Sequence, residues 1–294
     1  MTPRNETAAL VVLLRSGGRP WQAYAELVED TGSALAVLER EQATNGGQAS
    51  LFGERHEPLL EAAGAEITAW EASGMRLLTV LDPDYPDNLR VVHDRPPLIF
   101  VAGALRSSDA RSVAVVGARQ ASEQGAQRAR AIAEHLVEHG YTVVSGLAAG
   151  IDTAAHTAAL ARAGRTVAVI GTGLGRSYPP ENVALQLRVA AEGAVVSQFW
   201  PHAPPSRRSF PMRNAVMSGL TLATVVVEAS QTSGSRMQAR LALAHGRPVF
   251  MPRSLLSQAW ARELSARPGT HVVSSPSEIT AAVERLTSAG ALVA

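Results

Sequence analysis

Apolar, β-branched runs recur along the second part of the chain: SVAVVG (112–117), YTVVSG (141–146), TVAVIG (166–171), AVVSQF (194–199), LATVVVEA (222–229), PVFMP (248–252) and THVVSS (270–275). They are apolar throughout instead of alternating, which predicts strands covered on both faces; the helix-length intervals between them predict parallel crossovers. The fold class is therefore α/β, a doubly wound, mostly parallel sheet. The first part of the chain has a different rhythm. Helical periodicity runs over 5–15, 20–29, 32–41 and 56–73, with Asp30, Thr31 and Ser33 available as caps, and 42–53 reads as a flexible loop. Between these parts, two strand-like runs (77–81 and 98–101) separated by proline-punctuated turns predict a connecting arm. The expected organisation is a small helical domain over 1–74, an arm over 75–110 and the α/β domain over 111–294.

Composition narrows the classes. With 294 residues and 46% hydrophobic content the chain can bury a sizeable core. Cysteine is absent, so no disulfide framework, thiolate metal site or cysteine nucleophile is available. The apolar run Ala8–Leu14 is only seven residues long, too short to span a bilayer, and no signal-peptide pattern accompanies it. The expectation is a cytoplasmic protein with no membrane partner. A net charge of +1 conceals an asymmetry: residues 1–110 carry 9 arginines against 16 acids, residues 111–294 carry 18 against 10. All 27 basic residues are arginine, which suits bidentate phosphate pairing and equally fits a GC-rich genome. Genome composition does not explain their placement. From Gly193 to Arg262 there are eight arginines and one acid, Glu228, a clustering that points to an anionic partner.

In doubly wound sheets ligands sit beyond the carboxyl ends of the strands. The turns there read Gly117-Ala118-Arg119, Ser145-Gly146 through Gly150-Ile151-Asp152, Gly171-Thr172-Gly173-Leu174-Gly175 and Thr232-Ser233-Gly234-Ser235. Each sets glycine or a hydroxyl residue before a predicted helix, where backbone N–H groups receive an anion. Four such turns on one edge, with Arg119, Arg176 and Arg236 beside them, point to an extended phosphate-bearing ligand, ordinary turn chemistry being the alternative. The loop QFWPHAPPSRRSFPMRN (198–214) adds Phe199, Trp200 and Phe210 to Arg207, Arg208 and Arg213, the pairing of rings and arginines that holds single strands; the rings serve equally to pack the loop onto the sheet.

Ser145, Asp152 and His156 contain the residue types of a nucleophilic triad. The simpler reading has Asp152 capping the helix it begins, with His156 one turn later on the same face. No metal-ligand spacing of the HExxH kind occurs, and GTGLGRS (171–177) lacks the last glycine of a dinucleotide fingerprint. Glu228 is expected either as a buried partner for an arginine or as a site residue. No catalytic residue, metal or cofactor is assigned.

The segments VVGAR, SGLAAGIDTAAH, VIGTGLGRSYPPEN, FPMRN and VVVEASQTSGS, preceded by DPDYPDNL and DRPPLIFVAG, resemble in order and spacing the DNA-processing protein A (DprA, or Smf) family over roughly residues 75–252. The resemblance implies an extended Rossmann-like domain that binds single-stranded DNA, dimerises and assists loading of a RecA-type recombinase in recombination or natural transformation, without established catalysis. It makes residues 1–74 a SAM-like helical module and leads us to expect no C-terminal winged helix. Carried over by position, it brings in Arg119, the 145–152 loop with Ser145, Gly146 and Gly150, and Arg213 with Asn214. With the residues read directly, Arg176, Phe199, Arg207, Arg208, Phe210, Ser233, Gly234, Ser235 and Arg236 complete the expected nucleic-acid site. Departures from the family pattern fall at Gly175, Pro180, Gln198, Ala215, Gln238 and Arg253, so the pocket is expected to be reworked. The competing class is a nucleotide phosphoribohydrolase on the same fold. That family carries PGGxGTxxE with a catalytic glutamate; the nearest stretch here, TSGSRMQAR, is followed by no acid before Glu263.

Overall fold

A computed structural model describes residues 3–45, 57–230 and 233–290. The chain divides into two compact units, one of residues 1–85 with 94–100, the other of 86–93 with 101–294. The arm expected at 75–110 is thus shared between the units.

The first unit contains α1 (Pro3–Ser16), α2 (Trp21–Thr31), α3 (Ala34–Asn45), α4 (Glu57–Ala72), β1 (Met75–Thr79) and the start of β2 (Leu98–Gly103). Leu10, Leu13, Tyr24, Val28, Leu38 and Ile67 are buried in its core, the positions that the 3.6-residue period selects. Gly32 takes φ +70° to end α2, and Ser33 then starts α3 by accepting from the Ala36 N–H at 3.1 Å. The Glu6 carboxylate reaches the same helix start, accepting from Ala34 N at 2.6 Å and Leu35 N at 3.1 Å. Residues 42–45 belong to α3 and not to the loop expected over 42–53; the rest of that expectation lies outside the described residues.

The larger unit continues through α5 (Asp87–Arg90), β3 (Ser112–Gly117), α6 (Glu123–Glu138), β4 (Thr142–Ser145), α7 (Ile151–Ala161), β5 (Thr166–Val169), α8 (Val183–Glu192), β6 (Ala194–Ser197), α9 (Ser209–Leu220), β7 (Ala223–Glu228), α10 (Gly234–Ala244), β8 (Val249–Pro252), α11 (Ala259–Ser265), β9 (Thr270–Val273) and α12 (Pro276–Ser288). Strands β3 to β9 sit where the apolar runs predict them. They lie in the order β6-β5-β4-β3-β7-β8-β9, every pair parallel, with registers such as Val113↔Val143 and Val115↔Val225. β6 stops short of the predicted run because Ser197 turns inward: its Oγ donates to Thr172 O at 2.6 Å and accepts from Phe199 N at 3.0 Å, taking the backbone off the ladder. Helices α6, α7 and α12 cover one face and α9 and α10 the other. The central strands carry valine on both sides and are fully buried, as a doubly covered sheet requires.

The chain winds from β3 to β4 in one direction and from β3 to β7 in the other. A crevice opens between the loops that leave β3 and β7 in opposite senses.

Candidate functional site

That crevice is a cavity of about 750 Å³ at the carboxyl ends of β3 and β7. Its walls come from the β3–α6 turn (Gly117, Ala118, Arg119, Gln120), the β7 exit (Glu228, Ala229), the amino end of α10 (Ser233, Gly234, Ser235) and one face of α9. Phe210, Arg213, Asn214 and Met217 repeat at three- and four-residue spacing, so α9 presents them together. A smaller cavity of about 110 Å³ adjoins the first and shares Arg119, Ala148, Phe210 and Arg213 with it; Gly146, Gly171, Thr172 and Tyr178 complete its lining. All four turns singled out in the sequence therefore contribute to one composite site, Thr232 of the last lying outside the described residues.

Two glycines make the packing possible. A Cβ on Gly146 would fall on the guanidinium of Arg213, so only glycine lets that group lie against the loop backbone. Gly150 has φ +78°, and a Cβ there would strike the carbonyls of Ala118 and Arg119; Ile151 N donates to Ala118 O at 3.2 Å across this contact.

Arg213 is 6% exposed. Its Nη1 donates to Val169 O at 3.0 Å, while its Nε is buried without a partner. Burial presses its pKa down and the charge of Asp152 pushes back. Asp152 is expected to cap its own helix, and the structure corrects this: Oδ2 accepts from Gly146 N at 3.1 Å and Ala148 N at 3.3 Å, closing the loop ahead of α7. Burial pushes the Asp152 carboxyl up, against Arg213 and those two N–H groups. The guanidinium carbon of Arg119 lies 5.0 Å from the Phe210 ring centroid and that of Arg213 lies 6.0 Å away, with the Tyr178 ring 5.8 Å from Phe210 on the small-cavity side. Cationic groups, π faces and backbone N–H groups thus converge within one concavity, the chemistry that takes a phosphate and a flat ring together.

Other expected site residues lie elsewhere. Ser145 is fully buried and its Oγ donates to Val115 O at 2.6 Å. His156 Nδ1 pairs with Thr166 Oγ1 at 2.7 Å, and burial lowers its pKa to about 3, so Ser145, Asp152 and His156 form no relay. Arg176 is exposed, and its Nε braces the 200–203 turn through His202 O at 2.8 Å. Phe199 is half-buried and lines neither cavity; Arg207 and Arg208 are exposed at the start of α9, also outside both linings. Arg236 stands over Trp260 at 5.3 Å, in a separate shallow pocket with Arg240 and Arg267. Glu228 is not the partner of an arginine: its carboxylate accepts from Ser122 Oγ at 2.7 Å and Ser122 N at 3.2 Å at the start of α6, and it faces the large cavity.

Sequence reasoning missed Tyr178, Gln120, Gln238 and Gln258 as lining residues. Tyr178 had a usable signal, an aromatic in the turn after β5. Gln238 follows Ser235 by three residues and so shares its helix face. Gln258 had none: Nε2 donates to Ala229 O at 2.6 Å and Oε1 accepts from Trp260 Nε1 at 2.6 Å, a bridge set by tertiary packing alone.

A family model described as DNA recombination-mediator protein A matches residues 76–284. Protein Smf of Synechocystis is 41% identical over 184 residues, 61% of this chain and 46% of the relative. DNA processing protein DprA of Streptococcus pneumoniae is 42% identical over 179 residues, 60% of this chain and 63% of the relative. The putative DNA processing protein DprA of Mycobacterium tuberculosis is 33% identical over 268 residues, 86% of this chain and 68% of the relative. The chain therefore spans about half to two thirds of the length of these curated relatives. The crystal structure of the S. pneumoniae DprA superposes with a TM-score of 0.74 at 31% identity, covering 95% of this chain and 98% of that one. A structure of DNA processing protein A from Helicobacter pylori, described as showing its single-stranded DNA binding mode, has the same fold with a TM-score of 0.63 at 24% identity, covering 73% of this chain and 96% of that one.

Proposed function

Because this chain belongs to the DNA recombination-mediator protein A family, we propose that its composite cavity holds single-stranded DNA. The observation that carries the reading is the convergence of Arg119, Arg213 and Phe210 on the wall that the two cavities share. Arg119, half-exposed, meets a backbone phosphate; Arg213 fixes the pocket from behind; Phe210 and Tyr178 offer faces on which bases stack. The amino end of α10, with Ser233 as its N-cap, directs further N–H groups to the same space. The exposed Arg207 and Arg208 extend the positive surface along the preceding loop. The relative from H. pylori, described by its single-stranded DNA binding mode, supports this ligand class.

The protein acts in this reading as a binding module, not a catalyst: a cytoplasmic homodimer that protects single strands and passes them to a RecA-type recombinase in recombination or transformation. Among the described residues no helix is long and apolar enough to cross a membrane.

Fluorescence anisotropy with single-stranded and duplex oligonucleotides and with nucleoside monophosphates, across a salt series, tests the proposal. The expected result is preference for the single strand, with log K falling against log salt by about 0.7 per phosphate neutralised. A flat salt response, or tighter binding of the mononucleotide than of the oligonucleotide, overturns it.

A further inference from the structure

Gln238 lies on the cavity-facing side of α10, one turn beyond Ser235, and is 1% exposed. Its Nε2 donates to Thr224 Oγ1 of β7 over a long 3.4 Å, whereas its Oε1 is buried without a hydrogen-bond partner. An amide oxygen in such a place is costly to leave unpaired, since burial has removed its water. Gln258, which lines the same cavity, spends both ends of its amide on Ala229 and Trp260; Gln238 leaves one end for something else. The walls nearby are apolar, with Val116 and Met217 both buried and both lining the cavity. An apolar slot with one inward-facing acceptor fits a flat heterocycle that carries a donor on its edge.

Resting on the reading that single-stranded DNA enters this cavity, we propose that Gln238 reads the edge of one unpaired base inserted there and favours bases with an exocyclic amine, adenine and cytosine, over thymine and uracil. An amine gives Oε1 a hydrogen bond. The only donor of uracil or thymine, N3–H, is flanked by two carbonyl oxygens, which meet Oε1 acceptor against acceptor. The Glu228 carboxylate, also on the cavity wall, adds a second acceptor and deepens the bias. The base must be unpaired to enter, so the same contact disfavours a duplex.

The test compares oligo-dC with oligo-dU of equal length, which differ on the base edge and not in the backbone, by fluorescence anisotropy at one salt concentration. The wild-type protein is expected to bind dC about three- to tenfold more tightly, the span of one buried neutral hydrogen bond. In Gln238→Leu and Gln238→Thr the preference should vanish because dC falls to the affinity of dU, which itself stays unchanged. Equal binding of dC and dU by the wild type overturns the inference without needing any variant, as does a preference that survives in Gln238→Leu. Tighter binding of dU also overturns it, since the amide would then be presenting Nε2. Failure to bind either oligonucleotide instead removes the proposed function on which the inference rests.

Discussion

Arginine does different work in the two units. In the first, Arg15 pairs with Glu66, Arg19 with Glu41, Arg76 with Asp84 and Arg95 with Glu29, mostly at the exposed surface. In the larger unit, Arg165 with Asp109 and Arg162 with Glu134 follow the same habit. Around the cavity the habit is broken: among the described residues Arg119, Arg207 and Arg208 make no ion pair with a carboxylate, and Arg213 is buried against a loop. The lesson is that a count of arginines locates a basic region, whereas the missing counter-ions locate the site. Surface pairs contribute about 0 to 1 kcal/mol each and are screened by salt, so the first unit's arginines are replaceable in a way the cavity's are not.

The hardest break of that contrast is Arg213→Ala. It removes a cavity cation and leaves Asp152 buried with no counter-charge, for which a loss of about 3 to 5 kcal/mol in stability is typical. The simpler expectation from sequence, lost binding with an untouched fold, does not hold for a residue so buried. The pH dependence has a defined sign. Without Arg213 the folded-state pKa of Asp152 rises further above its unfolded value, so the neutral acid is what the fold tolerates. Its penalty is absent below the unfolded pKa, 3.8, and grows as pH rises through the folded one. Thermal melts of wild type and variant should therefore differ most near neutral pH and converge toward pH 4. A constant gap, or one that widens on acidification, would mean that Asp152 and Arg213 do not act as a pair.

Arg119→Ala sharpens the comparison at a position whose fold role is slight. Loss of a charge-assisted contact to phosphate costs about 1 to 3 kcal/mol, so binding of a single strand should weaken roughly tenfold or more while the melt stays at the wild-type temperature. Lysine there should rescue only in part, because it lacks the planar fork. Arg15→Ala, which breaks a surface pair, is expected to leave affinity unchanged. If the two variants weaken binding equally in an anisotropy titration, the contrast between the units is false.

Phe210→Ala comes next. Its ring carries both guanidinium contacts and the Tyr178 contact, and base stacking on an aromatic contributes about 1 to 3 kcal/mol. The expected loss is severalfold to tenfold and, unlike that of Arg119→Ala, it should leave the slope of the salt series unaltered. A reduced slope would mean that the ring acts only by holding the arginines.

Much of this arrangement is legible in the sequence. Unbroken valine runs give away the buried parallel strands, and strand-then-glycine turns give away the edge where the cavity opens. The single-acid stretch from Gly193 to Arg262 gives away the charge. What is not legible is how each polar side chain is spent. Ser145 and Arg176 have the right types in the right turns, yet one hydroxyl is consumed by Val115 O and one guanidinium by His202 O. Those partners are 30 and 26 residues away, and no local pattern specifies them. The same limit hides Gln238 and Gln258, whose roles depend on which neighbour takes which end of an amide.

The smallest expected effect falls on the one acid in that arginine-rich stretch. Glu228 lines the cavity and holds the start of α6 by accepting from the Ser122 N–H and Oγ. A glutamine keeps an acceptor oxygen for Ser122 and removes the charge, so the helix start should survive and the melt should shift little. Phosphates entering the cavity would then lose a repulsion. In a partly solvated site that repulsion amounts to about 0.5 to 1 kcal/mol and is weakened by salt. Glu228→Gln should therefore bind single-stranded DNA about two- to fivefold more tightly at low salt and no differently at high salt. A change of that sign would show that the clearing of acids around the cavity, which separates it from the rest of the molecule, stops one residue short and can be completed by substitution. The same variant distinguishes binding from catalysis. If the wild-type protein releases free base from a nucleoside monophosphate and Glu228→Gln does not, the carboxylate is an acid catalyst, and the cavity belongs to a phosphoribohydrolase.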